Sequence, residues 1–405
     1  MKPNFWLKFS LINLFAVALL GLLMRYKIGF EFPFLDQKHT QESHYHFAFY
    51  GWISHTLMVL MTQCLRRADT GFKIRRYNYA FAANLISAYG MLICFLFLGH
   101  SLYSELFTLA AILSSYYFSV IFIRDLKRFR INPISAKWFK AALFYNFLST
   151  LGIYWLLYMM LVADIPQKEY LATSYYFLHF QYNGWFFFGC MGLFIDFIGG
   201  AGPVQLKVYR LFAFSCIPAY FLSVLWLKIP DWLYVLVVIS AFVQVYALVL
   251  ECIALAKERP SAIASQPFIL RYVLLFVGVA LGIKLLLQLG STIPIVSKLA
   301  FGFRPVVIAY LHLVLLAVIS LFLLFYIFAD GAFPRTGRVL RALLVFSIGV
   351  LLNEVVLAVQ GIGAFTYTVI PYVNEILFGV AAILLTGIGM MCYSSIRTKD
   401  VVSYD

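Results

Sequence analysis

The chain has 405 residues, of which 63% are hydrophobic and only 12% charged, and its mean hydropathy is +0.90. A soluble domain of this size could not bury that much apolar surface, so lipid must be the solvent for most of it. The net charge of +14 is carried by Lys and Arg clustered in short connections between apolar runs, the pattern of a membrane protein, and it implies no nucleic-acid partner.

An apolar run of about 20 residues crosses the hydrocarbon core. Twelve runs qualify in chain order: 5–25, 43–64, 79–99, 102–123, 139–162, 171–195, 208–227, 232–255, 268–290, 305–329, 339–360 and 370–392. The first follows Lys2 without a small-residue cleavage site and reads as a span rather than a signal peptide. The connections after spans two, four and ten are rich in base: Arg66, Arg67, Lys73, Arg75 and Arg76; then Arg124, Lys127, Arg128, Arg130 and Lys137; then Arg335, Arg338 and Arg341. The connections at 99–101, 164–169 and 228–231 are poor in it. The alternation places both termini in the cytoplasm of a bacterial-type inner membrane, and even-numbered spans run inward. The expected fold is therefore all-α, with about twelve transmembrane helices in a single membrane domain.

An internal repeat divides those spans. His46, His179 and His312 are spaced at 133 and 133 residues (179 − 46 and 312 − 179), in spans two, six and ten. The repeating unit is thus four helices, roughly 1–130, 131–263 and 264–405, and the three copies run parallel. Local sequence agrees in part: His46-Phe-Ala-Phe-Tyr-Gly51-Trp52 against His179-Phe-Gln-Tyr-Asn-Gly184-Trp185, with the third copy keeping only the histidine. At 1.5 Å per residue, His179 and His312 each lie about 12 Å along their spans, and His46 slightly shallower. A single histidine inside a membrane reads most simply as a hydrogen-bonding group between helices. Three at matched spacing and depth point to a shared haem or metal role.

The six cysteines are scattered and form no CxxC or CxxCH, which gives neither a zinc site nor covalent haem attachment. Span two also carries His44 and His55; the repeat register and the following Gly51-Trp52 favour His46 over His44. That glycine suits close approach of a haem to the backbone and suits helix packing equally. His39 and His100 lie in outer connections and read as solvated. Asn353-Glu354 and Asn374-Glu375 read either as proton-handling or metal-supporting groups or as interfacial polar residues. Lys284, mid-span in helix nine, is expected to pair with a carboxylate or to be neutral.

Twelve spans in three four-helix units, with histidines on spans two, six and ten, resemble the large subunit of the haem-copper oxidase superfamily, in particular its nitric-oxide-reductase-like branch. The resemblance covers nearly the whole chain as architecture, on short motifs. It implies a low-spin, b-type haem held by His46 (or His44) and His312, and a second metal, copper, on His179. It implies electron transfer or nitric-oxide-related redox function, with quinol or a separate protein as electron donor, unspecified partner subunits, and Arg304 placed to pair with haem propionates. The departures are equally specific. Span seven, Val208 to Pro218, has no histidine, and the position two before His312 is Tyr310. The second metal thereby loses two of three ligands. Tyr310 takes the place of the high-spin haem ligand, and tyrosine is a known haem ligand. The simplest form keeps the low-spin site and loses turnover; a transporter or channel on the same scaffold without cofactors is the alternative.

Overall fold

A computed structural model describes residues 3–69, 71–162 and 166–397, and every regular element among them is helical. Part of the connection at 164–169 lies outside the described residues. Among the described residues nine helices are long and apolar enough to cross a membrane: α1 (Pro3–Gly29), α3 (Arg75–Leu98), α4 (Leu102–Arg128), α5 (Pro133–Val162), α8 (Asp231–Glu258), α9 (Phe268–Gly290), α10 (Arg304–Ala329), α11 (Gly337–Phe365) and α12 (Val373–Arg397). Three further helical stretches lie between them: α2 (37–68), α6 (167–198) and α7 (203–224). The last changes from α-helix to 3-10 helix at Pro218, which lacks the N–H that an α-helix would need there.

Consecutive helices pack side by side, and α1 packs against α12, which closes a ring. The most buried stretches belong to α2, α6 and α10. Residues 49–65 of α2, 179–190 of α6 and 317–329 of α10 are buried without interruption. These helices touch protein on every side, and α2 and α6 can therefore carry His55, Gln63, Gln181 and Asn183, which lipid would not tolerate. The outer helices show the opposite pattern, with Ile86, Phe97, Trp232 and Leu275 facing outward.

The inner helices share a feature that apolar periodicity does not reveal. Each is π-helical for about two turns: Phe47–Ser54, Phe180–Phe186 and Leu313–Ser320. Each π segment begins on the residue after His46, His179 or His312, so it recurs at the 133-residue interval. A π turn misaligns backbone carbonyls, and neighbouring helices supply the missing donors. Asn13 of α1 donates to the Gly51 carbonyl (2.5 Å) and Asn84 of α3 to that of Tyr50 (3.0 Å). Gly184 admits Tyr145 of α5, whose Cβ would lie 2.6 Å from any added methyl, so helix packing accounts for this glycine.

Two tryptophans lock the inner helices together. Trp52 Nε1 donates to Ser320 Oγ (2.8 Å), linking α2 to α10, and Trp185 Nε1 donates to Ser54 Oγ (3.1 Å), linking α6 to α2. The residues at the corresponding third contact are Val318 and Phe187, which cannot form such a bond. They line a cavity of about 10 Å³ instead, room for about one water. At the end of the bundle carrying the base-rich connections, Arg67 of α2 bonds Asp196 at the end of α6 (2.8 Å), Asp330 after α10, and the Tyr326 hydroxyl (2.9 Å). One guanidinium thus ties three helix ends.

Candidate functional site

The first half of α10 departs from the rest of that helix. Residues 304–312 include no buried position, although the helix continues into the fully buried segment 317–329. This half packs on α11, where Val306 meets Gly361. Residues 21–27 of α1 and 44–46 of α2 are likewise only half-buried.

Two histidines belong to this region, His312 on α10 and His44 on α2. His312 Nδ1 donates to the Ile308 carbonyl one turn back (2.9 Å), which fixes the tautomer and leaves Nε2 without a partner among the described residues. A bond of this kind, from one ring nitrogen to a carbonyl, is what a metal-ligating histidine normally makes. His44 lies beside the Val17 carbonyl of α1, and its buried Nδ1 makes no hydrogen bond. Gly21 of α1 packs beside its ring, where a methyl would stand in ordinary van der Waals contact, 3.5 Å from Cε1. His44 and His312 lie within electrostatic reach of one another, and Arg25 of α1 lies within reach of both.

His46 is on the other side of α2. Two residues turn a helix by about 200°. Its imidazole stacks flat on Phe95 of α3, with centroids 4.2 Å apart and planes 4° apart, and its electrostatic neighbour is His100. The preference for His46 over His44 drawn from the repeat therefore gives way: His44 is the histidine on the His312 side. Tyr310 likewise turns from that region and meets Tyr182 of α6 edge-on at 6.4 Å. Arg304 spans the mouth, donating to Gln41 of α2 (2.7 Å).

His179 has both nitrogens engaged, with the Cys216 carbonyl (2.8 Å) and the Asn183 amide (3.1 Å). It is a fully hydrogen-bonded core histidine, and no nitrogen remains for copper. Among the described residues no group of three His, Cys, Asp or Glu could hold a metal ion, which leaves a two-histidine site as the arrangement to consider. Lys284 is buried with Nζ 5.9 Å from the Phe187 ring, and no carboxylate among the described residues pairs with it, contrary to the first of its two expectations. Asn353 donates to Glu354 (3.2 Å), while Glu375 is exposed in the first turn of α12.

His100 is not merely solvated. Its ring bridges Glu105 (2.8 Å) and Glu42 (3.4 Å), tying the connection between α3 and α4 to the start of α2; Lys38 stands 4.0 Å from Glu42. The bond to Glu105, followed by the charges of Glu42 and Glu105, raises its pKa above the ordinary 6.5 against the opposing effect of burial. Protonated His100 thus adds stability that is complete below about 6.5 and is lost as pH rises through the raised value. The thermal midpoint in detergent should fall between pH 6 and pH 8.5 by an amount on the order of 1 kcal/mol. His100→Gln should flatten that difference, and an unchanged pH dependence would exclude the bridge as its origin.

Neither the models of known protein families nor the curated proteins include a match to this chain, so its chemistry rests on its own residues.

Proposed function

We propose that the chain is a twelve-span haem protein of oxidase-like architecture, in which His44 and His312 hold a low-spin, b-type haem that passes electrons. The observation carrying this reading is a pair of imidazoles on two central helices, His44 of α2 and His312 in the uncovered half of α10, each with a ring nitrogen that makes no hydrogen bond among the described residues. The residues suit such a group. The Ile308 carbonyl orients one ring, the other lies beside α1 at Gly21, and Arg25 of α1 is within electrostatic reach of both. His44 and His312 would hold the haem, which would supply one-electron chemistry, and two imidazole ligands would leave no place for oxygen or nitric oxide to bind. Three parallel four-helix units are supported by the recurrence of the π segments at the histidine interval. We place the membrane as a bacterial inner membrane, the histidines toward its outer side, and quinol or a separate protein as donor. Copper on His179 is not part of the proposal.

Visible spectroscopy of the protein purified from haem-replete cells tests this directly. Sharp reduced-minus-oxidised bands of a six-coordinate haem are expected, and a featureless difference spectrum would sink the reading. A second reading, a transporter on the same scaffold, draws on Lys284, a buried amine with no carboxylate partner among the described residues, which lines a cavity of about 10 Å³.

A further inference from the structure

Where α11 and α12 approach the base-rich connection after α10, they enclose a groove of about 420 Å³. It is lined by Arg338, Arg341 and Val345 of α11 and by Met390, Tyr393 and Ser394 of α12. Each set is spaced at three and four residues and so forms one stripe along its helix. The stripes can be ranked by depth, because α11 starts at Gly337 and α12 ends at Arg397. Arg338 lies about 1.5 Å from the start of α11, Arg341 about 6 Å and Val345 about 12 Å. Tyr393 lies about 6 Å from the end of α12 and Met390 about 10 Å. The helices meet at the floor, where a methyl on Gly387 would stand 2.7 Å from the Phe346 backbone nitrogen. The groove is therefore cationic and polar near the membrane surface and apolar deeper in. Arg341 Nε donates to the Gly337 carbonyl (3.2 Å). Its terminal nitrogens, and the whole guanidinium of Arg338, make no hydrogen bond or ion pair among the described residues. Arg335, by contrast, is engaged with the carbonyls of Phe328 and Ala329.

We propose that this groove holds one anionic phospholipid of the adjoining leaflet, its phosphate on Arg338 and Arg341 and the start of an acyl chain against Val345 and Met390. The order of the lining is that of a phospholipid, charge at the surface and hydrocarbon beneath it. Guanidinium groups present paired N–H donors that match phosphate oxygens, and basic pockets between spans are where acidic headgroups bind. A zwitterionic lipid would bring a cation of its own to the same two arginines. A soluble anion would leave Val345 and Met390 uncovered. The site lies at the opposite end of the bundle from His44 and His312 and does not depend on a haem.

The test titrates delipidated full-length protein in detergent with phosphatidylglycerol or phosphatidylcholine and counts bound lipid by native mass spectrometry. Wild type should hold one phosphatidylglycerol in preference to phosphatidylcholine. Arg338→Gln and Arg341→Gln should each weaken phosphatidylglycerol about fivefold and together about 25-fold, with phosphatidylcholine unchanged. Arg124→Gln with Lys127→Gln removes two exposed charges from the same end of α4, and should stay within about twofold of wild type. Unweakened binding in the double arginine variant would overturn the proposal, and so would an equal loss in the α4 control, which would mean diffuse charge attraction only. Competition by inorganic phosphate at equal concentration would assign the groove to a free anion instead. Residues 398–405, outside the described residues, follow α12 directly and include Asp400 and Asp405. Lipid binding that appears only after Asp400→Asn and Asp405→Asn would give the groove to the chain's own terminus and overturn the proposal as well.

Discussion

His44→Ala should abolish the haem spectrum, while His46→Ala should leave it intact. Both histidines lie at the start of α2, two residues and about 200° apart. A bis-imidazole site needs both rings on one side, and only His44 shares electrostatic reach with His312. Loss of an axial ligand removes a coordinate bond rather than its support, so retention should weaken by more than the 10- to 100-fold typical of a lost outer partner. His312→Ala should match His44→Ala. His46→Ala removes a ring stacked on Phe95 and should cost about 1 kcal/mol of stability without touching the spectrum. A haem signal that survives His44→Ala but vanishes in His46→Ala would reinstate the reading from the repeat and defeat the present one.

The reason the repeat misled is geometric. The 133-residue interval identifies equivalent positions, and in a closed ring of parallel units equivalent positions face equivalent neighbours. His46 meets Phe95 on the next helix of its unit, and His179 meets Cys216 on the next helix of its own. Residues related in this way point into different interhelical spaces, so ligands of one shared group would have to sit at inequivalent positions, as the proposed pair His44 and His312 does. The apolar runs located the helices well, because hydrocarbon thickness sets their length. They missed the ends: α2 covers 37–68 against an expected 43–64, since polar Gln37 to Glu42 continue the helix beyond the apolar run. The π segments left no mark, because a central helix is apolar on all faces and carries no periodicity to distort. Arg25 had a signal that was overlooked. With Lys27 it places positive charge at the outer end of span one, against the positive-inside trend, as Lys298 and Arg304 do before span ten.

Arg67→Leu should be among the most destabilising single substitutions at this chain's membrane edge. The guanidinium joins Asp196, Asp330 and Tyr326, and so holds the ends of α2, α6 and α10 to one point. Removing it leaves two carboxylates, each less than a fifth exposed, facing each other with no cation between them. Breaking a buried pair from one side costs about 3–5 kcal/mol. Arg67 itself is 42% exposed, and solvent screening reduces that to roughly 2–3 kcal/mol. Asp196→Asn combined with Asp330→Asn in the same chain should recover most of the loss, because repulsion between the carboxylates, rather than the missing attraction, is the larger part. Arg67→Lys should recover less, since one ammonium cannot span two carboxylates and a phenol with fixed geometry. Thermal unfolding in detergent distinguishes these cases. A variant Arg67→Leu as stable as wild type would mean that the Trp52–Ser320 and Trp185–Ser54 bonds alone hold the inner helices in register.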